Sequence, residues 1–265
     1  MSIVEQEIAY VDEESPSLTQ QIPADWFSPR IWSALHAHPL DATIRYTSDR
    51  TFYVAWFESA AERPAVSETV SVTSLVSSAP KDVVVHTGGG THDDRREVGI
   101  RMHRWMECIL NGLPIPDVDI YSQMRSYVST LRYLPWRTEM PIRSCTRTCV
   151  VGVVDALFVV ECHGDVLVLD MVDWKYSANV SSCLDEYELQ LNMYKYILET
   201  TYGGTPFQVG GTVCTSIRIR NMSLVLFHPS ITTHQTHTVP DRQPEVAALF
   251  RLRKMQLASE DKCPC

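Results

Sequence analysis

The chain lacks the long apolar run that a membrane-spanning helix requires. Its longest apolar stretch, residues 150–160, is interrupted by Asp155 and is shorter than a segment that crosses a bilayer. The N-terminus has no basic flank, and five of its first 14 residues are acidic, which fits neither a secretory signal nor a mitochondrial presequence. We therefore expect a soluble, intracellular protein of the cytoplasm or nucleus that has no transmembrane segment and no membrane partner.

Two common site motifs are also missing. The eight cysteines include no Cys-x-x-Cys pair, so the sequence contains neither a zinc ribbon nor a thioredoxin-type motif. The glycines at residues 88–90 are followed by Thr91 and His92, not by the Gly-Lys-Ser/Thr of a phosphate-binding loop. We expect the thiols to be buried or incidental in a reducing compartment.

Charges of the two signs are unevenly distributed along the chain. The net charge of −9 argues against a nucleic-acid partner when it is taken alone. Residues 1–63 hold 4 basic and 10 acidic residues, whereas residues 95–147 hold 9 arginines and only 5 acidic residues. Arginine can bind a phosphate through two donors at once. Two interpretations therefore remain open for the middle of the chain, a solvated surface or a phosphate-binding one.

Composition and patterning predict an α/β core with appendages. The chain is 45% hydrophobic and 21% charged, which is typical of a globular protein. Residues 1–22 are predicted to be an acidic, disordered tail, and residues 23–94 an N-terminal extension with short strands and a Gly-rich loop. Helical and strand periodicities alternate through residues 95–258, which predicts the α/β core, and residues 259–265 are a second tail.

Two carboxylates and one lysine lie in neighbouring predicted strands. Asp155 is surrounded by the Val-rich sequence of a buried strand, where an unpaired carboxylate is costly. The alternation of the next strand places Asp173 and Lys175 on one face, and a hairpin turn at Gly164 would bring Asp173 beside Asp155. Facing carboxylates repel unless a cation lies between them, and oxygen ligands suit Mg²⁺ or Mn²⁺. The alternative is a simple Asp–Lys ion pair at the end of a strand.

Two predicted helices add polar pairs that are four residues apart. His103 and Glu107 lie one turn apart on the first helix, and Gln190 and Tyr194 lie one turn apart on a later one. The first pair does not have the His-Glu-x-x-His spacing of zinc proteases. Taken alone, each pair is equally typical of the polar edge of an amphipathic helix.

In this order and spacing, the motifs resemble the RecB-like branch of the PD-(D/E)XK nuclease superfamily. That branch includes phage lambda-type exonucleases and the mitochondrial genome maintenance exonucleases. The resemblance covers residues 70–200, and its specificity lies in the ordered set of motifs. The matching residues are Gly99, His103, Glu107, Glu139, Gly152, Asp155, Asp173, Lys175, Gln190, Leu191 and Tyr194.

The resemblance implies a restriction-endonuclease-like α/β core, in which helices flank a central mixed β-sheet. It also implies a site for Mg²⁺ or Mn²⁺ with Asp155 and Asp173 as direct ligands, aided by the Trp174 carbonyl and by His103. Relatives that hold an iron–sulfur cluster carry one Cys before the nuclease core and three after it. No suitable Cys precedes Cys108 in this chain, so we expect no iron–sulfur cluster.

The same resemblance implies catalytic roles. Lys175 would position the attacking water, and Glu139 would hold metal-bound water or a second metal. Gln190 and Tyr194 would orient the lysine or contact the DNA backbone. Local charge, independently of the resemblance, nominates three arginines for phosphate contacts. They are Arg104, Arg137 and Arg143.

The expected function is that of a Mg²⁺- or Mn²⁺-dependent deoxyribonuclease, an exonuclease that hydrolyses phosphodiester bonds and leaves a 5′-phosphate. Its expected partner is single- or double-stranded DNA with ends. Further copies of the chain, or proteins of replication and recombination, are the protein partners that this function would suit. Three alternatives stay open: a structure-specific endonuclease of the same fold, a catalytically inactive nucleic-acid-binding relative, and a structural α/β protein.

Overall fold

The structure of the chain is a computed structural model. It describes residues 38–40, 44–46, 52–54, 70–77, 92–111, 113–116, 118–133, 135–144, 148, 150–209 and 212–259. Several predicted features lie outside the described residues. They are the acidic tail at 1–22, the Gly-rich loop at 88–90 and the end of the chain from 260 onward.

Ten strands and five α-helices are present in the described part of the chain. The strands are β1 (Ile44–Tyr46), β2 (Phe52–Val54), β3 (Val70–Ser71), β4 (Pro135–Arg143), β5 (Val150–His163), β6 (Val166–Tyr176), β7 (Phe207–Val209), β8 (Thr212–Cys214), β9 (Ser216–Phe227) and β10 (Gln235–Thr238). The helices are α1 (Val72–Ser77), α2 (His92–Leu110), α3 (Tyr121–Thr130), α4 (Leu184–Ile197) and α5 (Gln243–Ser259), and a π-helical turn, Leu198–Tyr202, continues α4. Within these residues, no helix combines the length and the apolarity that crossing a membrane requires.

A mixed six-stranded sheet forms the centre of the molecule. Its strand order is β10-β9-β6-β5-β3, and β4 also pairs with β5. β6 runs parallel to β9 and β3 runs parallel to β5, whereas β4 and β6 are both antiparallel to β5. Two short antiparallel pairs, β1 with β2 and β7 with β8, lie outside this sheet. β5 therefore pairs with both β4 and β6, and each of these three strands contributes a carboxylate to the site described below.

The β5–β6 hairpin follows from local sequence. β5 is rich in valine, and its first nine residues are buried except for a half-buried Val153, as β-branched residues favour. Gly164 takes a φ of +62° in the turn, a left-handed conformation that favours glycine. Ala156 then pairs with Val172, so the next positions along the two strands are Asp155 and Asp173. The predicted hairpin is confirmed.

The sheet packs a hydrophobic cluster against each of two helical layers. One cluster joins Leu157 of β5 and Met171 of β6 to residues of α4 and α5. The other joins Ala156 of β5 and Trp174 of β6 to residues of α2 and α3. The side chains of these two residues point to the opposite face of the sheet from those of Leu157 and Met171. Because side chains alternate along a strand, the two clusters occupy opposite faces. The predicted α/β class, a central mixed sheet flanked by helices, is confirmed.

The structure moves one predicted boundary. β3 pairs in parallel with the start of β5, and α1 buries Val72, Leu75 and Val76 in the core. Residues 70–77, assigned from sequence to the N-terminal extension, therefore belong to the central sheet and its packing. A two-residue strand has too little pattern to reveal this pairing before its partner is known.

β9 is longer than its sequence pattern indicates. It begins at Ser216, whereas apolar content alone predicts a strand from Ser223. Arg218 and Arg220 are exposed between buried Ile217 and Ile219, which is the alternation of a strand with one solvated face. The arginines lower the apolar content of the first half of the strand, so this half is not predicted from apolar content.

Candidate metal centre

Three side chains from separate elements meet beside the central sheet. His103 comes from α2, Glu139 from β4 and Asp155 from β5. His103 Nδ1 lies 3.3 Å from Glu139 Oε1 and 3.3 Å from Asp155 Oδ2. One ligand atom from each residue lies within 4.8 Å of the other two. Two carboxylates and an imidazole are thereby brought to a common point.

The backbone positions both carboxylates. Flanking pairs in β4 and β5, Thr138 with Ala156 and Met140 with Val154, place Glu139 opposite Asp155. Glu139 itself has a φ of +44°, a conformation that costs a non-glycine residue free energy and clusters at functional sites. Asp155 is fixed from the other strand, because the Trp174 backbone N–H donates to its Oδ2 at 2.7 Å.

Opposite charges determine the protonation of this group. Burial by itself lowers the pKa of His103, but the carboxylates of Asp155 and Glu139 outweigh it and raise that pKa to about 10. Burial likewise acts to raise the pKa of Asp155, and His103, Lys175 and the Trp174 N–H together hold it below its ordinary value. Without a metal ion, His103 is therefore protonated at neutral pH and its charge stabilises the two carboxylates; binding of a metal ion to the imidazole would release that proton.

Asp173 and Lys175 form a buried pair beside this group. Lys175 Nζ lies 2.5 Å from Asp173 Oδ2, and the Asp173 side chain is only 3% exposed. Burial raises the pKa of Asp173 to about 6, against the lowering effect of Lys175. Burial opposes the charge of Lys175, yet Asp173 and Asp155 raise its pKa above the ordinary value. Both predicted residues thus share one face, and the lysine is charged at neutral pH.

The second oxygen of Asp173 is the unusual feature of the pair. Asp173 Oδ1 is buried and has no hydrogen-bond partner among the described residues. A buried carboxylate oxygen without a donor is costly. The cost falls when a cation or a bound water supplies the missing contact, so this oxygen is an additional candidate ligand.

One face of α4 covers the pair with aromatic and amide groups. The Lys175 ammonium lies 4.5 Å from the centre of the Tyr187 ring. Gln190 Nε2 donates to the Tyr194 hydroxyl at 2.8 Å, and the Tyr194 ring lies against Gly152 so closely that a Cβ there would meet Cε1 at 2.5 Å. A side chain larger than hydrogen at residue 152 would push the tyrosine away from the strands.

The residues present fit a bound metal ion. Imidazole nitrogen and carboxylate oxygen are common ligands of divalent metals, and the unpaired oxygen of Asp173 offers a further donor. Two acids close together in a buried setting also need positive charge nearby. The group formed by His103, Glu139 and Asp155 could therefore hold a metal ion, and the identity of that ion stays a prediction.

The remaining predicted residues are Trp174 and three arginines, which differ in how far they are exposed. Trp174 contributes its N–H to Asp155, and the predicted role of its carbonyl as a ligand stays a prediction. Arg104 is exposed on α2, and Arg137 is half-buried on β4. Arg143 is only 9% exposed and donates from Nη1 to the Ser144 carbonyl. The phosphate contacts of all three arginines stay predictions.

Sequence reasoning missed Tyr187 as part of the site. Its position was available, because Tyr187, Gln190 and Tyr194 are three and seven residues apart and so share one face of a helix. The spacing became informative only once the lysine beneath that face was known. The donor role of the Trp174 N–H had no side-chain signal at all, since any residue except proline supplies a backbone donor.

Comparisons with known proteins add little to this geometry. No family model matches the chain, and no curated protein sequence matches it. Among solved structures, one described as "Crystal structure of SSO0001" is similar, with 13% sequence identity and a TM-score of 0.34. The similarity covers 75% of this chain and 79% of that chain. A likeness of this degree carries no argument about function, which depends on the chain's own residues.

Proposed function

We propose that this protein is a divalent-metal-dependent nuclease that hydrolyses phosphodiester bonds in DNA. One observation carries the proposal: a histidine and two carboxylates converge beside a buried, charged lysine. A structural ion pair needs only Asp173 and Lys175, and it explains neither the approach of His103 nor the strained backbone of Glu139. The ordered motifs that resemble RecB-like nucleases support the same conclusion.

Mg²⁺ and Mn²⁺ are the ions that we propose for the site. The candidate ligands are carboxylate oxygens of Glu139, Asp155 and Asp173 together with one imidazole of His103. Mg²⁺ prefers oxygen ligands, and Mn²⁺ accepts oxygen and imidazole alike. The absence of a thiol among these ligands disfavours an iron–sulfur cluster and a thiolate-bound structural zinc.

The protein's own groups suit the chemistry of phosphodiester hydrolysis. A divalent cation held by these ligands would polarise the phosphodiester and a water molecule. Lys175 carries a full positive charge, so it would donate hydrogen bonds and stabilise the negative charge that develops on the phosphate oxygens in the transition state. Tyr187 and Asp173 hold the ammonium in place. Gln190 and Tyr194 keep α4 close to the strands.

Exonuclease activity is the form of the function that we favour. The resemblance points to exonucleases through His103 and through the Gln190–Tyr194 pair on α4. Arg104, Arg137 and Arg143 are nominated for phosphate contacts by local charge alone. All three lie in residues 95–147, which are basic although the whole chain has a net charge of −9.

Digestion of end-labelled linear DNA tests the proposal. We expect wild-type protein to release nucleotides when Mg²⁺ or Mn²⁺ is present and to stop when a chelator is added. Lys175→Ala should lower the rate roughly 10²–10⁴-fold, the range seen when a catalytic side chain is removed. Lys195→Ala is the matched control, because that lysine of the same region pairs with Asp241 at the surface and should leave the rate unchanged. Equal rates for Lys175→Ala and wild type would refute the catalytic assignment.

The substrate form distinguishes the two modes of cleavage. An exonuclease degrades linear DNA and leaves covalently closed circles intact, whereas an endonuclease opens the circles. Binding of DNA without cleavage under every metal condition would favour the inactive relative instead. Wild-type protein alone therefore distinguishes an exonuclease, an endonuclease and an inactive DNA-binding relative.

A further inference from the structure

Two thiols lie in contact at the end of the sheet remote from the metal centre. The Sγ atoms of Cys162, on β5, and Cys214, the last residue of β8, are 3.4 Å apart. Cys162 is exposed and Cys214 is fully buried. The two residues are 52 positions apart in sequence, so the fold brings them together. The expectation that the thiols are incidental does not account for this approach.

The backbone around both cysteines is held by hydrogen bonds. Cys162 pairs with Leu167 across the β5–β6 hairpin. On the other side, the backbone N–H groups of Thr215 and Ser216 donate to the Asp165 carbonyl at 2.9 and 3.2 Å. The Thr215 hydroxyl also donates to the Asp165 carboxylate. The segment after Cys214 is therefore anchored to the same turn that follows Cys162, and the thiols face one another within paired structure.

We propose that Cys162 and Cys214 form an oxidation site, at which a peroxide converts the two thiols into an intrachain disulfide. The buried partner alone would be out of reach of an oxidant, and the exposed partner alone would have no resolving thiol. Together they supply the two roles that a reversible thiol oxidation needs.

Exposure fixes the order of the two steps. Cys162 reacts first: its thiolate attacks one oxygen of hydrogen peroxide, the O–O bond breaks, and a sulfenic acid and water are formed. Cys214 has no exposed surface, so the peroxide meets Cys162 first. Cys214 then attacks the sulfenic sulfur, its proton leaves with the hydroxyl group as water, and the S–S bond forms. Two thiols and one peroxide give one disulfide and two waters.

The bond would close a loop of the chain that contains residues beside the metal centre. Asp173, Lys175 and Tyr194 lie between the two cysteines in the chain. Cys162 itself is seven residues beyond Asp155 on β5, a distance of roughly 23 Å at the rise of a strand. The disulfide would therefore restrict the unfolded chain without contacting the metal centre. This inference is independent of the nuclease proposal.

Mass spectrometry of peptides from the full-length protein tests the proposal. The protein is reduced, freed of reductant and treated with hydrogen peroxide, and the remaining thiols are blocked before digestion. We expect a linked peptide pair that contains Cys162 and Cys214 and that disappears after dithiothreitol. The midpoint of urea unfolding should move to a higher concentration in the oxidised protein and return after reduction.

Variants at the same positions provide the controls. Cys162→Ser, at an exposed position, should abolish both the linked pair and the shift of the midpoint. Cys183→Ser, which removes a half-buried thiol elsewhere, should leave both unchanged. The proposal is overturned if Cys162 is oxidised to sulfinic or sulfonic acid while Cys214 stays reduced, or if Cys162 links to a different cysteine. The proposal is also contradicted if the urea midpoint of the linked protein is unchanged or lower, because a disulfide between two thiols that the fold already holds together should stabilise the protein.

Discussion

At the scale of single residues, Lys175 depends on its surroundings for both its charge and its position. Its side chain is only 16% exposed and touches Asp173, and the Tyr187 ring lies 4.5 Å below its ammonium. A cation over an aromatic face is stabilised by up to about 2 kcal/mol when water is excluded. Tyr187 is thus a positioning residue that acts through the lysine.

Exchange of the Tyr187 side chain separates the ring from the hydroxyl. Tyr187→Phe keeps the aromatic face, so we expect nuclease activity close to that of wild type. Tyr187→Leu removes the face, and kcat should fall by roughly tenfold because about 1–2 kcal/mol of cation–π stabilisation is lost, while KM changes little. Steady-state digestion of labelled DNA checks both variants. A loss of activity in Tyr187→Phe equal to that in Tyr187→Leu would mean that the hydroxyl, not the ring, is the group that matters.

The protonation of His103 predicts how the stability of the ion-free protein changes with pH. The pKa of His103 rises from its ordinary value of 6.5 to about 10 in the folded chain. A raised folded-state pKa stabilises the fold fully below about pH 6.5, and this contribution is lost as the pH rises toward 10. The loss is at most about 1.4 kcal/mol per pH unit for one proton.

Urea unfolding in chelator at pH 7 and pH 9 measures this dependence. We expect the free energy of unfolding of wild type to fall more between the two pH values than that of His103→Gln, which has no titrating group at this position. The difference between the two proteins removes the contribution of other groups that titrate in the same range. Parallel curves for the two proteins would show that His103 does not carry the proton between the carboxylates.

At the scale of elements, the site depends on how closely α4 approaches β5. Gly152 provides the space, since a Cβ there would lie 2.5 Å from Tyr194 Cε1. The tyrosine is 4% exposed, so its ring has no open space to move into. This contact sets the distance between α4 and the strands. It thereby also sets the positions of Tyr187 and Gln190 relative to Asp173 and Lys175.

Alanine substitutions at two glycines test this packing. Gly152→Ala should lower the free energy of unfolding by about 1–3 kcal/mol, the usual cost of forcing extra volume into a packed site. Gly99→Ala is the matched control, because nothing lies within 4 Å of its Cβ position in α2 and alanine favours a helix interior by about 0.5–1 kcal/mol. Urea unfolding curves measure both. Equal effects of the two substitutions would contradict the close approach of Tyr194 to β5.

The elements differ in how far sequence predicts them. The β5–β6 hairpin is encoded locally, by an apolar, β-branched run on each side of a turn that favours glycine, so Asp155, Asp173 and Lys175 could be placed together from the sequence. The sequence predicts a strand end and a short helix at residues 70–75, where the structure has β3 and α1, but a strand of two residues does not reveal that it pairs with β5. The first half of β9 was missed, because it alternates arginine with isoleucine. Their assignment needs the partner strands, which are distant in sequence.

At the scale of the whole molecule, the metal centre is assembled from parts that sequence cannot align. His103 and Glu139 are 36 residues apart, and their contact depends on the packing of α2 beside β4. Motif order nominated both residues, but neither the positive φ of Glu139 nor the Trp174 N–H that holds Asp155 has a sequence signal. Both are consequences of tertiary packing, as is the contact between Cys162 and Cys214.

The central claim is that His103, Glu139 and Asp155 bind a divalent metal ion, and titration calorimetry with Mn²⁺ tests it most directly. Wild type should bind the ion, and Asp155→Asn and His103→Gln should each weaken its affinity by roughly 100-fold. Residues that only orient a metal ligand typically contribute about 10–100-fold, so the loss of a direct ligand should reach the top of that range or exceed it. Glu97→Gln, an exposed change on the same helix, is the control and should bind as wild type does. Failure of wild type to bind Mn²⁺, or equal affinity in all four proteins, would contradict the account.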